Sequence, residues 1–227
     1  MHLADEPENL KLVGYNLNDR LNDPEVFQLK AYDLVHSRFI SAGLKRNRWP
    51  SYIRDIRALL RPSTGWVQLT EYHMHIMSDN GRLTPEMAVY RWWHAYVESM
   101  QAMNRDARIG ARLEGLLVEA GLRNVYVDFR RLPIGGWSAG AYMPRAPQRV
   151  VLLWWTSYAH DADVALKDPN MASIGRESVE MVGDLLQALG LWPFTAQLGW
   201  TTAQFDGLIR QVRSELQDIT LRLYLPM

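Results

Sequence analysis

Four groups of side chains in this 227-residue sequence combine residue types with a spacing that could do chemistry. His36 and Arg38 close the apolar run Tyr32-Asp33-Leu34-Val35-His36. An imidazole titrates near neutral pH and can accept a proton as a general base, although a histidine hydrogen-bonded beneath a following helix accounts for the same residue. Asn16 and Asp19 follow a second apolar run, Leu10-Lys11-Leu12-Val13-Gly14-Tyr15; their oxygens can accept from an amino group, or they close a polar turn. Glu71, His73 and His75 alternate, so on a continuing strand they would share one face, as metal ligands can. No third histidine or further acidic ligand is fixed by spacing, and the expectation is that no metal binds. Trp92, Trp93 and Tyr96 sit together where flat aromatic side chains can wall a pocket, but a helix buries only one face, so half of this stripe is expected to be core.

These groups need elements to hold them. The pattern predicts strands over 10–15, 32–36, 66–71 and 125–129, with a last strand over 220–225. Between the second and third, Trp49-Pro50 opens a helix in which Tyr52, Ile53, Ile56, Leu59 and Leu60 recur at helical spacing, while Arg54, Asp55, Arg57 and Arg61 are expected to face outward. Pro62 stops it. Strand, helix and strand joined by a short turn is the unit from which parallel sheets are built. Thr84 as N-cap and Pro85 at the first helical position announce the helix that carries the aromatic stripe. Further helices are expected over 108–120, ending at Gly121 as a left-handed cap, and over 172–189 and 203–216, the last capped by Thr201 or Thr202. Residues 138–167 show no steady period and are read as an irregular insertion in a single domain spanning 1–227.

Bulk composition excludes several function classes. With 48% hydrophobic residues the chain can bury one substantial core. Its 25 Lys+Arg balance 25 Asp+Glu, leaving no basic field for nucleic acid or anionic lipid, so neither is an expected partner. The absence of cysteine removes disulfides, thiolate metal sites and a thiol nucleophile. No apolar run reaches the about 20 residues a membrane helix needs, and a cytoplasmic or nuclear location is expected.

Several blocks resemble the LaeA-like S-adenosylmethionine-dependent methyltransferases of fungi, in that family's order. They are Ala31-Tyr32-Asp33-Leu34-Val35-His36-Ser37-Arg38-Phe39, Trp49-Pro50-Ser51-Tyr52-Ile53-Arg54-Asp55, Leu60-Arg61-Pro62-Ser63-Thr64-Gly65-Trp66-Val67-Gln68 and Ser78-Asp79-Asn80-Gly81. Leu132-Pro133-Ile134-Gly135-Gly136-Trp137, Ile174-Gly175-Arg176-Glu177-Ser178-Val179, Leu191-Trp192-Pro193-Phe194 and Leu223-Tyr224-Leu225-Pro226 follow. The resemblance implies an α/β, Rossmann-like class I methyltransferase sheet with a helical lid, and a cofactor lying across the strand ends. Runs 10–15, 32–36 and 66–71 match the family's third, fourth and fifth strands. Its first two strands and glycine-rich loop find no counterpart, and no two of the 15 glycines form a G-x-G. The sheet is therefore expected to be incomplete, and S-adenosylmethionine to bind this chain by itself weakly if at all.

The resemblance also assigns roles. Asn16, Asp19 and Arg38 fall in cofactor-binding positions and His36 in the position of a catalytic base. Glu71, Trp92, Trp93 and Tyr96 fall around a small-molecule substrate. The implied activity is methylation of a small molecule in secondary metabolism, with a protein partner or homo-oligomer as a possible completion. A cofactor-independent cyclase or an interaction module on the same scaffold is the alternative.

Overall fold

A computed structural model describes residues 9–138 and 170–227; the irregular segment expected over 138–167 falls, but for its first residue, outside them. The chain is α/β. β1 (Leu34–Arg38) and β2 (Trp66–Thr70) pair in parallel with Leu34 opposite Trp66 and Arg38 opposite Thr70, and α1 (Trp49–Leu59) makes the crossover between them. The strand-helix-strand unit expected from the sequence is thus present. α1 carries Pro50 in its first turn, where its fixed φ fits, and buries Tyr52, Ile53, Ile56 and Leu59 at helical spacing. These pack with Leu44, Ile109, Leu113 and Leu116 and with the inward residues Val35, Val67 and Leu69 of the parallel pair. The alternate residues of both strands, among them Leu34, His36 and Trp66, lie on the exposed face.

Asp55 corrects one expectation on this helix. It is 5% exposed rather than turned outward, and its carboxylate accepts from Arg48 Nη2 at 2.7 Å, Arg20 Nε at 2.9 Å and the Leu21 N–H. Burial pushes its pKa up, but these hydrogen bonds from Arg20 and Arg48 outweigh it and hold the group below the usual carboxylate range.

A second apolar cluster gathers α2 (Ala88–Ala102), α4 (Met171–Ala196) and α5 (Thr202–Leu216) against a small antiparallel sheet. In that sheet β5 (Leu223–Pro226) lies between β3 (Met77–Ser78) and β4 (Arg131–Pro133), so the expected last strand exists but runs antiparallel. α3 (Leu113–Glu119) ends on Gly121 at φ +80°, as the sequence suggests, with the Leu122 N–H reaching back to the Leu117 carbonyl.

Four helix or strand expectations fail for identifiable reasons. Residues 10–15 and 125–129 form no ladder; Leu12 and Tyr126 are 63% and 82% exposed, and strand-like composition without a pairing edge does not make a strand. α2 begins at Ala88, not at Pro85, because its first N–H groups are capped from a distance: the Glu215 carboxylate accepts from Ala88 N and Val89 N, both at 2.8 Å. α4 does not end near Leu189 but continues through Pro193 to Ala196. Gly190 is a packing position instead of a stop: a Cβ there would stand 2.9 Å from both Phe205 and the Trp92 indole nitrogen. Among the described residues no helix is long and apolar enough to cross a membrane.

Candidate functional site

The two parallel strands both run out at the same end of the molecule, and the residues that follow them enclose a cavity of about 170 Å³. Phe39, Ser41 and Ala42 come from the turn after β1; Tyr72 and Met74 come from the segment after β2. Tyr96 of α2, Ala107, and Leu185 and Leu189 of α4 complete the lining.

The walls are set by specific interactions. Phe39 and Tyr72 stack with ring centroids 4.0 Å apart and planes 2° from parallel. Phe39 adopts φ +55°, a left-handed conformation disfavoured for a bulky side chain and tolerated where surroundings hold it. Its neighbours are held by Glu71, whose carboxylate accepts from the Ile40 N–H at 2.8 Å and the Ser41 N–H at 3.3 Å. Glu71 is 4% exposed, and burial pushes its pKa up against these two hydrogen bonds. Tyr96 is 3% exposed, and burial drives its phenol up to about 12, so it remains neutral at any ordinary pH.

The other predicted site residues divide around this cavity. Trp92 is fully buried, stacked on Tyr96 at 4.9 Å and near Phe194 at 5.9 Å, and serves as core beneath the wall. Trp93 packs on His75 with centroids 4.1 Å apart. α2 therefore presents Tyr96 to the cavity and buries most of its other aromatic groups in the helical layer. His36 and Arg38 project from the exposed face of β1, and the Arg38 guanidinium lies 5.0 Å from the Phe39 ring centroid. Asn16 and Asp19 form a polar turn: the Asn16 side-chain oxygen accepts from the Asn18 N–H at 3.1 Å, and its carbonyl accepts from the Asp19 N–H at 2.9 Å.

β2 ends at Thr70, so Glu71, His73 and His75 do not continue its pleated face. Burial, then the neighbouring His75 and Arg108, pulls His73 down to about 4, and burial with Arg108 lowers His75. Both rings are neutral at pH 7. Among the described residues no three His, Asp or Glu side chains gather as a metal site.

Sequence reasoning missed Phe39, Ser41, Ala42, Tyr72, Met74, Ala107, Leu185 and Leu189. The available signal was an aromatic residue within two positions of the end of each parallel strand, Phe39 after Arg38 and Tyr72 two residues after Thr70. The small and aliphatic members carry no signal in isolation.

No family model matches the chain. Curated relatives do. Methyltransferase pytC of Aspergillus terreus is 25% identical over 184 residues, covering 81% of this chain and 47% of that protein. Secondary metabolism regulator LAE1 of Cochliobolus heterostrophus is 23% identical over 195 residues, covering 86% of this chain and 54% of the regulator. The chain is a relative of the LaeA-like methyltransferases of fungi. N-methyltransferase sirN of Leptosphaeria maculans is 28% identical over 170 residues, covering 71% of this LaeA-like chain and 58% of sirN. The chain spans about half the length of the relatives it matches.

Methyltransferase relatives imply S-adenosylmethionine as the usual cofactor, and the residues of this LaeA-like chain can be tested against that molecule. The Asn16 amide oxygen is already engaged within its own turn. The Arg38 guanidinium lies against the Phe39 ring, and a guanidinium pairs with a carboxylate and not with a sulfonium. The sequence holds no G-x-G turn to present backbone N–H groups to the carboxylate end. Asn16 and Arg38, as placed, fit that cofactor poorly, while the Asp19 side chain is exposed.

Proposed function

We propose that this chain supplies the acceptor-binding side of a small-molecule methyltransferase of fungal secondary metabolism. The observation that carries the reading is the aromatic-walled cavity at the shared end of β1 and β2, in a chain whose relatives are methyltransferases. A mostly apolar cavity with a few placed polar groups is the ordinary form of a small-molecule site. Glu71 shapes it by fixing the turn after β1, and Tyr96 presents a neutral phenol to it. His36, the candidate base, stands mid-strand on the exposed face of β1 and is not among the residues that line the cavity.

The poor fit of Asn16 and Arg38 to S-adenosylmethionine favours one rival, a protein that uses the same pocket without methyl transfer, such as a cofactor-independent cyclase. One assay separates the two readings. The protein is purified from its native cells with whatever accompanies it and incubated with small molecules extracted from those cells, with and without methyl-labelled S-adenosylmethionine. Label entering a small molecule, and reduced by the substitution Ala107→Phe, supports the methyltransferase reading. Product formed equally without the cofactor supports the cyclase, and no product under either condition overturns both.

A further inference from the structure

We infer that the cavity between the Phe39–Tyr72 stack and Tyr96 is built for one uncharged six-membered aromatic ring. The inference rests on the acceptor-site reading above and names the acceptor's chemistry. Size comes first. About 170 Å³ is close to the roughly 150 Å³ of an engineered apolar cavity that takes up benzene, so a single ring is a match by volume.

Charge comes second. No Lys, Arg, His, Asp or Glu side chain is among the lining residues; the Glu71 carboxylate is turned into the backbone of Ile40 and Ser41, and the Arg38 guanidinium lies against the Phe39 ring, 5.0 Å from its centroid. An ionised ring substituent would lose hydration without a charged partner among the lining residues, which disfavours it. The polar groups available are hydroxyls, on Ser41, Tyr72 and Tyr96, and they match a neutral phenol or aryl amine edge better than an ion.

Shape comes third. Ala42 and Ala107 are the small residues that keep the space open, and Leu185 and Leu189 of one helix close its far side. The walls are fixed before any ligand arrives, since Phe39 is held at φ +55° between its stack on Tyr72 and the turn that Glu71 pins. A preorganised aromatic slot costs a ring little ordering on entry.

Fluorobenzene observed by fluorine NMR tests this directly, with benzoate and naphthalene as comparisons. The native chain is expected to bind fluorobenzene with a dissociation constant below about 1 mM and at least about tenfold more tightly than either comparison. Ala107→Phe, which fills the slot, should weaken fluorobenzene about tenfold or more. Leu189→Ala, which enlarges it, should gain naphthalene while keeping fluorobenzene. Benzoate binding as tightly as fluorobenzene, unchanged affinity in Ala107→Phe with its fold retained, or no naphthalene gain in Leu189→Ala would each overturn the inference. The cofactor plays no part in this measurement. Ring binding without methyl transfer would leave the slot standing and remove only the methyltransferase reading, whereas labelled product without ring binding would do the reverse.

Discussion

Glu71 ties the end of β2 to the turn after β1, across 31 residues of sequence. Replacing it by alanine leaves two part-buried N–H groups without their acceptor, so Glu71→Ala is expected to cost about 2–3 kcal/mol in urea unfolding and to loosen ligand binding together with it. Glu71→Gln retains one acceptor oxygen and should lose about half as much. His73 supplies a pH dependence whose sign follows from its lowered pKa. Between about pH 6.5 and about 4 the unfolded chain takes up a proton at His73 that the folded chain refuses, so stability falls as pH falls through that window, by roughly 3 kcal/mol at most. Glu71 works in the opposite direction: its raised pKa lets the folded state accept a proton first, adding relative stability on the acid side that is lost as pH rises. Urea midpoints between pH 7 and 4.5 should therefore drop in the native protein and drop less in His73→Asn. At this scale the sequence was partly readable. It singled out Glu71 and Tyr96 but placed Glu71 on a strand face, because nothing in an alternating Glu-x-His-x-His pattern shows that the ladder stops one residue earlier at Thr70.

Two helix starts show which element boundaries a sequence exposes. Thr201 caps α5 through a reciprocal box with Gln204, a local Thr-x-x-Gln signature visible without any structure. α2 is capped by a carboxylate 127 residues away, so local signals at Thr84 and Pro85 mislead by one turn. Thr201→Ala is expected to cost about 1 kcal/mol and Glu215→Ala about 1–2 kcal/mol, measured as shifts in the urea midpoint. Loss of α2 helicity on Glu215→Ala should also weaken ring binding, because α2 carries Tyr96 into the cavity wall. The parallel pair and α1 were legible because each has the length, period and proline punctuation of its type. Residues 10–15 and 125–129 were misread because a strand is a property of two segments, and composition reports only one.

Across the described residues, two apolar clusters divide the core. One is built on α1 and the parallel strands, the other on α2, α4, α5 and the antiparallel sheet, and seven of the nine lining residues of the cavity, Ala42, Tyr72, Met74, Tyr96, Ala107, Leu185 and Leu189, belong to the second. This arrangement accounts for why the pocket was hidden in the sequence: its residues come from five separate segments, and only Tyr96 belongs to a conspicuous motif. It also separates two roles that the family resemblance joins. The chain holds an aromatic-walled cavity, while two of the residues matched to cofactor positions are engaged elsewhere, Asn16 in a turn and Arg38 with a ring. Calorimetric titration of the 227-residue chain with S-adenosylmethionine tests that separation most directly. The account predicts no saturable binding tighter than about millimolar, which corresponds to roughly 4 kcal/mol or less of binding free energy. Saturable binding at micromolar concentration would contradict it, showing that these residues do form a cofactor site.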